Sequence, residues 1–357
     1  LAGRAKGWIA CGDGKHVDEI LMKAKNNIQQ VAKLAGVSIA TVSRAFATPE
    51  RLSPKTLDLV RKAVRELDYT PNAQARSLRT ERTMLVVALV PDISNPFFSG
   101  VIRGVESVAK AHGYSVLLGD TQYSVDNEQR YGDMVSSRLV DGLLTLLPRS
   151  PVIQASGRLP VVNACEPIDD PTVSSVTVDN SAAFRDGVEY LAALGHRDIA
   201  FIGGPPTNPL TLARRCGYDA AMAAAGLPIE PALCSEGDFS IGAGVRAADL
   251  ILSYGRPVTA FACASDELAV GAMHALRNHG LSVPADVSVL GFDDISIARY
   301  LDPPLTTIAQ PREEMGREAM LMLVQLLRDR TVPPRKQVLR TQLVIRGSTA
   351  PPGNRPS

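Results

Sequence analysis

The spacing of apolar positions changes near Arg82. Before it the pattern is helical: Ile28, Val31, Ala32, Leu34 and Ala35 define one face of a short helix, Asn26 or Asn27 can cap its start, and Gly36 tolerates positive φ at its end. Ser38 then offers a capping hydroxyl to a second helix, in which Val42 and Ala45 face inward while Ile39, Ala40, Thr41, Ser43 and Arg44 stay largely outside. A third helix begins at Ser53 with Pro54 in its first position and carries the stripe Leu57, Val60, Val64 and Leu67. This predicts a three-helix unit with a tight turn between its first two members.

After Arg82 apolar runs alternate with helices. Met84 to Val90 reads as a strand buried on both faces, Phe97 to Ala111 as a helix ended by Gly113, and Tyr114 to Leu118 as the next strand. Gly195, Gly226 and Gly280 close further helices, and Ala200 to Ile202, Thr259 to Cys263 and Val287 to Phe292 read as strands. Alternation of this kind predicts an α/β body of doubly wound parallel sheets, long enough for two lobes.

Composition adds little until it is divided along the chain. With 45% hydrophobic and 21% charged residues in 357, this is an ordinary globular chain of two or three packed units. It has no apolar run long enough for a membrane span and no recognisable signal peptide, so a cytoplasmic protein with no membrane partner is expected. Its five cysteines are far apart and predict reduced, mostly buried thiols with no metal. His112 and His279 each precede a glycine at a helix end, where capping explains them. The net charge of +1 conceals a basic head: residues 23–82 hold 12 Lys and Arg against 5 Asp and Glu, leaving an acidic body.

Basic charge on a helix–turn–helix points to double-stranded DNA. Arg44 can address guanine O6 and N7, Ile39 or Ala40 can touch a thymine methyl, and Ser38, Thr41 and Ser43 can donate to phosphates. The stretch from Thr70 to Thr80 reads as a helix that needs outside contacts to persist. Its Leu78 between Arg76 and Arg79 has the form of an apolar minor-groove wedge.

In the body, ligands are expected at the carboxyl ends of the strands. Phe97 and Phe98 follow the first strand and can close on a flat ring or pack as core. Ser265, Asp266 and Glu267 follow Cys263, and Asp293 and Asp294 follow Phe292. The motifs G-x-S-x-G, G-x-x-x-x-G-K-[ST] and H-E-x-x-H are not found, so no enzyme is expected and no cofactor.

The series V-A-x-x-A-G-V-S-x-x-T-V-S-R-A followed by Y-x-P-N-x-x-A-R-S-L resembles the LacI/GalR family of bacterial repressors, from about Ile28 to Thr349. The resemblance implies a helix-turn-helix domain over 27–70, a hinge helix and linker over 71–82, and a two-lobed body like the periplasmic binding proteins over 83–346. Residues 1–26 then read as a disordered extension, with Met22 a more natural start, and 347–357 as a flexible tail. It implies base contacts by Ile39, Ala40 and Arg44, and a minor-groove lever at Leu78. It further implies an effector site of Phe97, Phe98, Asp179, Arg214, Phe239, Ser265 and Asp293. Asn208 and Leu210 depart from the purine-responsive members, which disfavours a free purine base.

P-D-I-S-N-P-F-F-S, G-D-F-S and D-P-P-L-T-T-I-A-Q-P-R-E-E-M-G look most similar to nucleoside-responsive members. Ring stacking with an arginine and a carboxylate suits a nucleoside, and a sugar would use the same groups. The implied partners are operator DNA, a nucleoside or sugar effector, a second copy of the chain in a homodimer, and a further DNA-bound regulator. The tail has no leucine heptad that would join dimers into a tetramer.

Overall fold

The computed structural model describes residues 27–70, 82–137, 139–148, 159–166, 168 and 170–353. They belong to two compact units divided between Glu81 and Arg82. In the first, helices α1 (Ile28–Ala35), α2 (Ile39–Ala47) and α3 (Pro54–Glu66) enclose a core of Val31, Ala32, Ala35, Val42, Val60 and Ala63. Asn27 and Gln30 form a reciprocal capping box, with N···O distances of 3.0 and 3.1 Å, so the first helix begins at Ile28. Ser38 and Ser53 accept from Thr41 N and Thr56 N at 3.1 and 3.2 Å. Gly36 has φ of 63°, the left-handed region that a glycine enters without a Cβ clash.

The core differs from the expected faces on α1 and on α3. Leu34 is 47% exposed, because it lies roughly a third of a turn from the centre of the face made by Val31, Ala32 and Ala35. On α3 the unexpected Ala63 is fully buried beside Val60, while Leu57, Val64 and Leu67 are half-buried at the rim.

The second unit contains two six-stranded sheets. One lobe carries β1 (Leu85–Val90), β2 (Ser115–Asp120), β3 (Gly142–Thr145), β4 (Val161–Ala164), β5 (Ser174–Val178) and β11 (Lys336–Leu339). These are ordered β11-β5-β4-β3-β1-β2, with every pair parallel. The other carries β6 (Ile199–Gly203), β7 (Cys234–Glu236), β8 (Ala260–Cys263), β9 (Ser288–Asp293), β10 (Thr306–Ala309) and β12 (Gln342–Val344). Their order is β12-β10-β9-β8-β6-β7, and only β12 is antiparallel. The central strands β1, β6, β8 and β9 are buried nearly throughout, as both faces of a parallel sheet require.

Helices α4 (Pro96–Ala111) and α10 (Arg312–Arg328) pack together on the first sheet, which α5 (Val125–Ser136) accompanies. In the second lobe α6 (Asn180–Ala193) pairs with α7 (Pro209–Ala224), and α8 (Ile241–Ser253) with α9 (Asp266–Asn278). The chain therefore crosses between lobes three times: after β5, after β10, and between β11 and β12. The second crossing sets Gln310 against the space between the lobes.

The α4–α10 contact depends on absent side chains. A Cβ at Gly316 would collide with the Val101 carbonyl, and one at Gly104 with that of Glu313. Gly316→Ala should cost about 1 to 3 kcal/mol despite its better helix propensity, because backbone cannot yield as a side-chain tip can. A urea midpoint equal to that of the unmodified protein would contradict this close approach.

The packed lobe also continues past Arg346, where a flexible tail was expected. Ser348 is fully buried and donates to Val289 O at 2.6 Å, and His196 Nε2 lies 2.9 Å from Ala350 O. These bonds hold the chain as far as Ala350. Residues 1–26 and 354–357 lie outside the described residues.

Candidate functional site

Helix α2 presents the face expected for a groove-reading helix. Val42 is buried, Ser38, Ile39, Ala40 and Arg44 are exposed, and Thr41 and Ser43 are half-buried. Ser38 Oγ accepts the capping bond from Thr41 and lies 2.9 Å from Thr41 Oγ1, so the two hydroxyls steady each other at the start of the helix. Arg76, Leu78 and Arg79, with the hinge segment 71–81, lie outside the described residues.

A narrow cleft of about 40 Å³ opens between the lobes of the second unit, at the carboxyl ends of the parallel strands. Phe97, Phe98, Arg214, Phe239, Ser265 and Asp293, expected there from the sequence, all line it. Phe97 and Phe98 begin α4 after Asn95 caps it, and their rings meet edge-on with centroids 5.2 Å apart. Both also belong to the lobe's apolar core, so core and ligand surface are here the same side chains.

Asp179 is not part of the lining. It is exposed at the first crossing, where its carboxylate accepts from Ala182 N at 2.9 Å and caps α6. The neighbouring Asn180 is the inward residue: its Oδ1 accepts from Arg214 Nε and Nη2 at 3.0 and 2.9 Å. The third Arg214 bond goes from Nη1 to the Ala264 carbonyl, and the guanidinium carbon stands 3.9 Å above the centre of the Phe292 ring. Burial works against this cation, while Asp293, Glu166 and Asp266 favour it.

Asp293 ends β9 with φ of 120°, a conformation that costs a non-glycine residue on the order of 1 to 3 kcal/mol and recurs at ligand sites. Gln310 Nε2 donates to its Oδ1 at 2.7 Å and thereby fixes the carboxyl direction. Burial pushes the Asp293 carboxyl up to about 6, with Arg214 and Gln310 opposing. Asp266 acts one layer below. It accepts from Ile295 N at 2.8 Å and Thr307 Oγ1 at 2.6 Å, tying the turn after Asp293 to α9 and β10. Its own carboxyl is raised by burial and then by Asp293.

Sequence reasoning missed Glu166, Asn180, Tyr123 and Gln310. Glu166 follows β4 by two residues and is 4% exposed, with Oε2 lacking a hydrogen-bond partner. Burial drives its carboxyl up to about 8, against Arg214 and an Asn208 side-chain hydrogen bond. Asn208 belongs to the opposite lobe, where its Oδ1 caps α7 by accepting from Leu210 N at 2.7 Å. Glu166 and Gln310 carry the same signal as Asp293, a position just beyond an apolar strand, at the ends of β4 and β10.

Among the described residues no three His, Cys, Asp or Glu side chains are grouped to hold a metal ion, and no helix is long and apolar enough to cross a membrane. Four described cysteines are free, of which Cys165 and Cys263 are buried and Cys216 is exposed.

Residues 27–72 match the family model described as bacterial regulatory proteins, lacI family, and 188–349 that of a periplasmic binding protein-like domain. The HTH-type transcriptional repressor CytR of Escherichia coli (strain K12) is 40% identical over 337 residues, covering 92% of this chain and 99% of the relative. The lac repressor dimer bound to operator and the anti-inducer ONPF superposes with a TM-score of 0.81 at 30% identity, over 91% of this chain and 99% of that one. A complex of the transcriptional regulator CelR with cellobiose gives 0.70 at 34% identity, over 91% and 100%.

Proposed function

Because the chain belongs to the lacI family of bacterial regulatory proteins, it is a DNA-binding transcriptional regulator and not an enzyme, and we propose that its effector is a nucleoside. The observation that carries the effector class is the division of the cleft. Its β1-side wall offers the Phe97, Phe98 and Tyr123 rings with the Glu166 carboxyl, while the facing wall offers Arg214, Asp293 and Ser265 beside the Phe239 ring. The first suits the flat face of a base, and the second suits the hydroxyls of a ribose. A ligand selective for the folded state raises its thermal midpoint, so a panel of nucleosides and sugars on the full chain tests the reading. Nucleosides should shift the midpoint at micromolar concentration and free sugars should not. The CelR–cellobiose complex favours a sugar as the second reading, and the reverse pattern in the panel would establish it.

Operator reading is assigned to α2. If Arg44 spans guanine O6 and N7, Arg44→Ala should lose about 1 to 3 kcal/mol on the specific operator and relax preference at one base position. Fluorescence anisotropy on specific and random duplexes separates the roles, since equal loss on both would make Arg44 a phosphate contact.

One three-helix head covers a half-site, and a symmetric pair of heads matches a pseudo-palindromic operator. The working unit is accordingly a homodimer, as in the lac repressor dimer on its operator. Analytical ultracentrifugation at micromolar concentration should find twice the chain mass. A monomer with undiminished operator affinity would contradict the assignment.

A further inference from the structure

We propose that Asp141 anchors the first residues of the body in one fixed direction, and that this anchor carries the effector's influence to the DNA-binding head. It lies at the amino ends of β1 and β3, opposite the cleft, and is independent of the effector's class. Just past the division at Arg82, one carboxylate holds two successive residues. Asp141 Oδ1 accepts from Thr83 N and Thr83 Oγ1, both at 2.8 Å, and Oδ2 accepts from Met84 N at 2.9 Å. The Asp141 N–H donates to Leu85 O at 2.7 Å. Thr83 and Met84 precede β1, so the carboxylate supplies the acceptors that a sheet ladder would otherwise provide. Hydrogen bonds to an ionised acceptor are about twice as strong as neutral ones. Met84 has φ of 57°, which a residue with a side chain keeps only where its surroundings over-determine it.

Two rigid elements join this anchor to the boundary between the lobes. β1 leads from Leu85 towards Asn95, which caps α4 and lines the cleft. Helix α10 runs alongside. At its carboxyl end Arg82 Nη2 donates to Leu327 O at 3.3 Å, and at its amino end Arg312 Nη2 donates to Asp294 O of the second lobe at 2.7 Å. A helix of 17 residues is about 25 Å long, enough to span from the second lobe to the chain's exit. A shift of one lobe against the other therefore reaches the point where the chain leaves the body, provided that point is held.

Magnitudes separate an anchor from a mere tether. Freeing residues 82–84 would add three residues to the segment 71–81, and for a freely jointed tether this changes the meeting of its ends by less than about twofold. Linkage between sites typically amounts to about 5- to 150-fold. Loss of the anchor should therefore remove far more of the effector response than of the operator affinity.

The test compares wild type with Asp141→Ala in the full chain, on a duplex that the wild-type chain selects from a randomised pool. By native-state hydrogen exchange, the wild-type Thr83 and Met84 amides should exchange about 10²-fold more slowly than in an unstructured peptide. In the variant they should approach the peptide rate, with Val86 to Leu89 still protected. Titrating the duplex with and without saturating cytidine, or cellobiose should cytidine not bind, gives the response. It should be about 5- to 150-fold in the wild type and within about twofold of unity in the variant. Ligand affinity without DNA should stay unchanged. Asp141→Asn keeps one carbonyl acceptor but turns an amide donor on Met84 N; it should be intermediate, and it serves if Asp141→Ala folds poorly. Gly244→Ala, whose Cβ would collide with the Leu268 carbonyl between α8 and α9, destabilises the body elsewhere and should keep the wild-type response. An unchanged response in the Asp141 variants, a wild type that responds to neither ligand, or wild-type amides at the peptide rate overturns the role of Asp141. So does a Gly244→Ala protein that loses its response as fully, since stability would then account for the loss. Binding of cellobiose without binding of cytidine overturns the nucleoside reading alone.

Discussion

Arg214→Ala should abolish the effector's influence on operator binding while effector-free operator affinity stays within about twofold. The guanidinium is 3% exposed, makes three hydrogen bonds and lies on the Phe292 ring. Removing it leaves Asn180 Oδ1 and the Ala264 carbonyl without their donor, and the carboxyls of Asp293, Glu166 and Asp266 without their buried cation. Truncating one member of a buried charged network typically costs about 3 to 5 kcal/mol. If most of that falls on the effector complex, affinity drops on the order of 10² to 10³-fold. Effector titration by calorimetry and operator titration by anisotropy, run separately, distinguish lost sensing from lost folding. Equal weakening of both would mean that Arg214 supports the whole molecule instead of the effector site.

The reciprocal variant lies in the segment that the family resemblance makes a minor-groove lever. Leu78→Ala should weaken specific operator binding and leave effector affinity measured without DNA unchanged. Linkage between the sites is typically 1 to 3 kcal/mol, or about 5- to 150-fold in operator affinity, and it must act equally in both directions at equilibrium. A Leu78→Ala protein that lost effector affinity as fully as Arg214→Ala would remove the division of labour between head and body.

The parts legible from sequence were those dictated by local chemistry. Caps at Asn27, Ser38 and Ser53 and the positive φ at Gly36 follow from side chains and near neighbours, and so does the buried run read as Met84–Val90, whose strand starts one residue later at Leu85 because Met84 has φ of 57°. The groups that were missed depend on contacts distant in sequence. Asn180 matters because Arg214, 34 residues away, reaches it, and Gln310 matters because Asp293, 17 residues away, accepts from it. Asp179 illustrates the opposite error: a carboxylate at the right crossing was captured by its own helix terminus, as aspartates at that position commonly are. Glu166 had only its place just beyond β4 to announce it. Its importance arises from burial, which sequence reports only statistically, and from Asn208 and Arg214 brought across from another lobe.

Burial of Glu166 also has a measurable consequence for stability. Its carboxyl titrates near the ordinary 4.5 in the unfolded chain and at about 8 when folded. Between those values the folded state holds a proton that the unfolded state has lost, so by linkage stability declines as pH rises through the window. The penalty is absent below about pH 4.5, grows towards pH 8, and is fully present above it. Asp293 adds a smaller effect of the same sign between its ordinary 3.8 and about 6. Glu166→Gln removes one titrating group and keeps the shape, so variant and wild type should be similar near pH 5. Near pH 9 the variant should be the more stable by on the order of 2 to 5 kcal/mol, taking 1.36 kcal/mol per pH unit and allowing for the lost attraction to Arg214. Urea unfolding of the effector-free protein from pH 5 to 9 measures it directly, provided the transition is monitored in the body. Parallel stability curves for the two proteins would show that Glu166 ionises normally in the folded state.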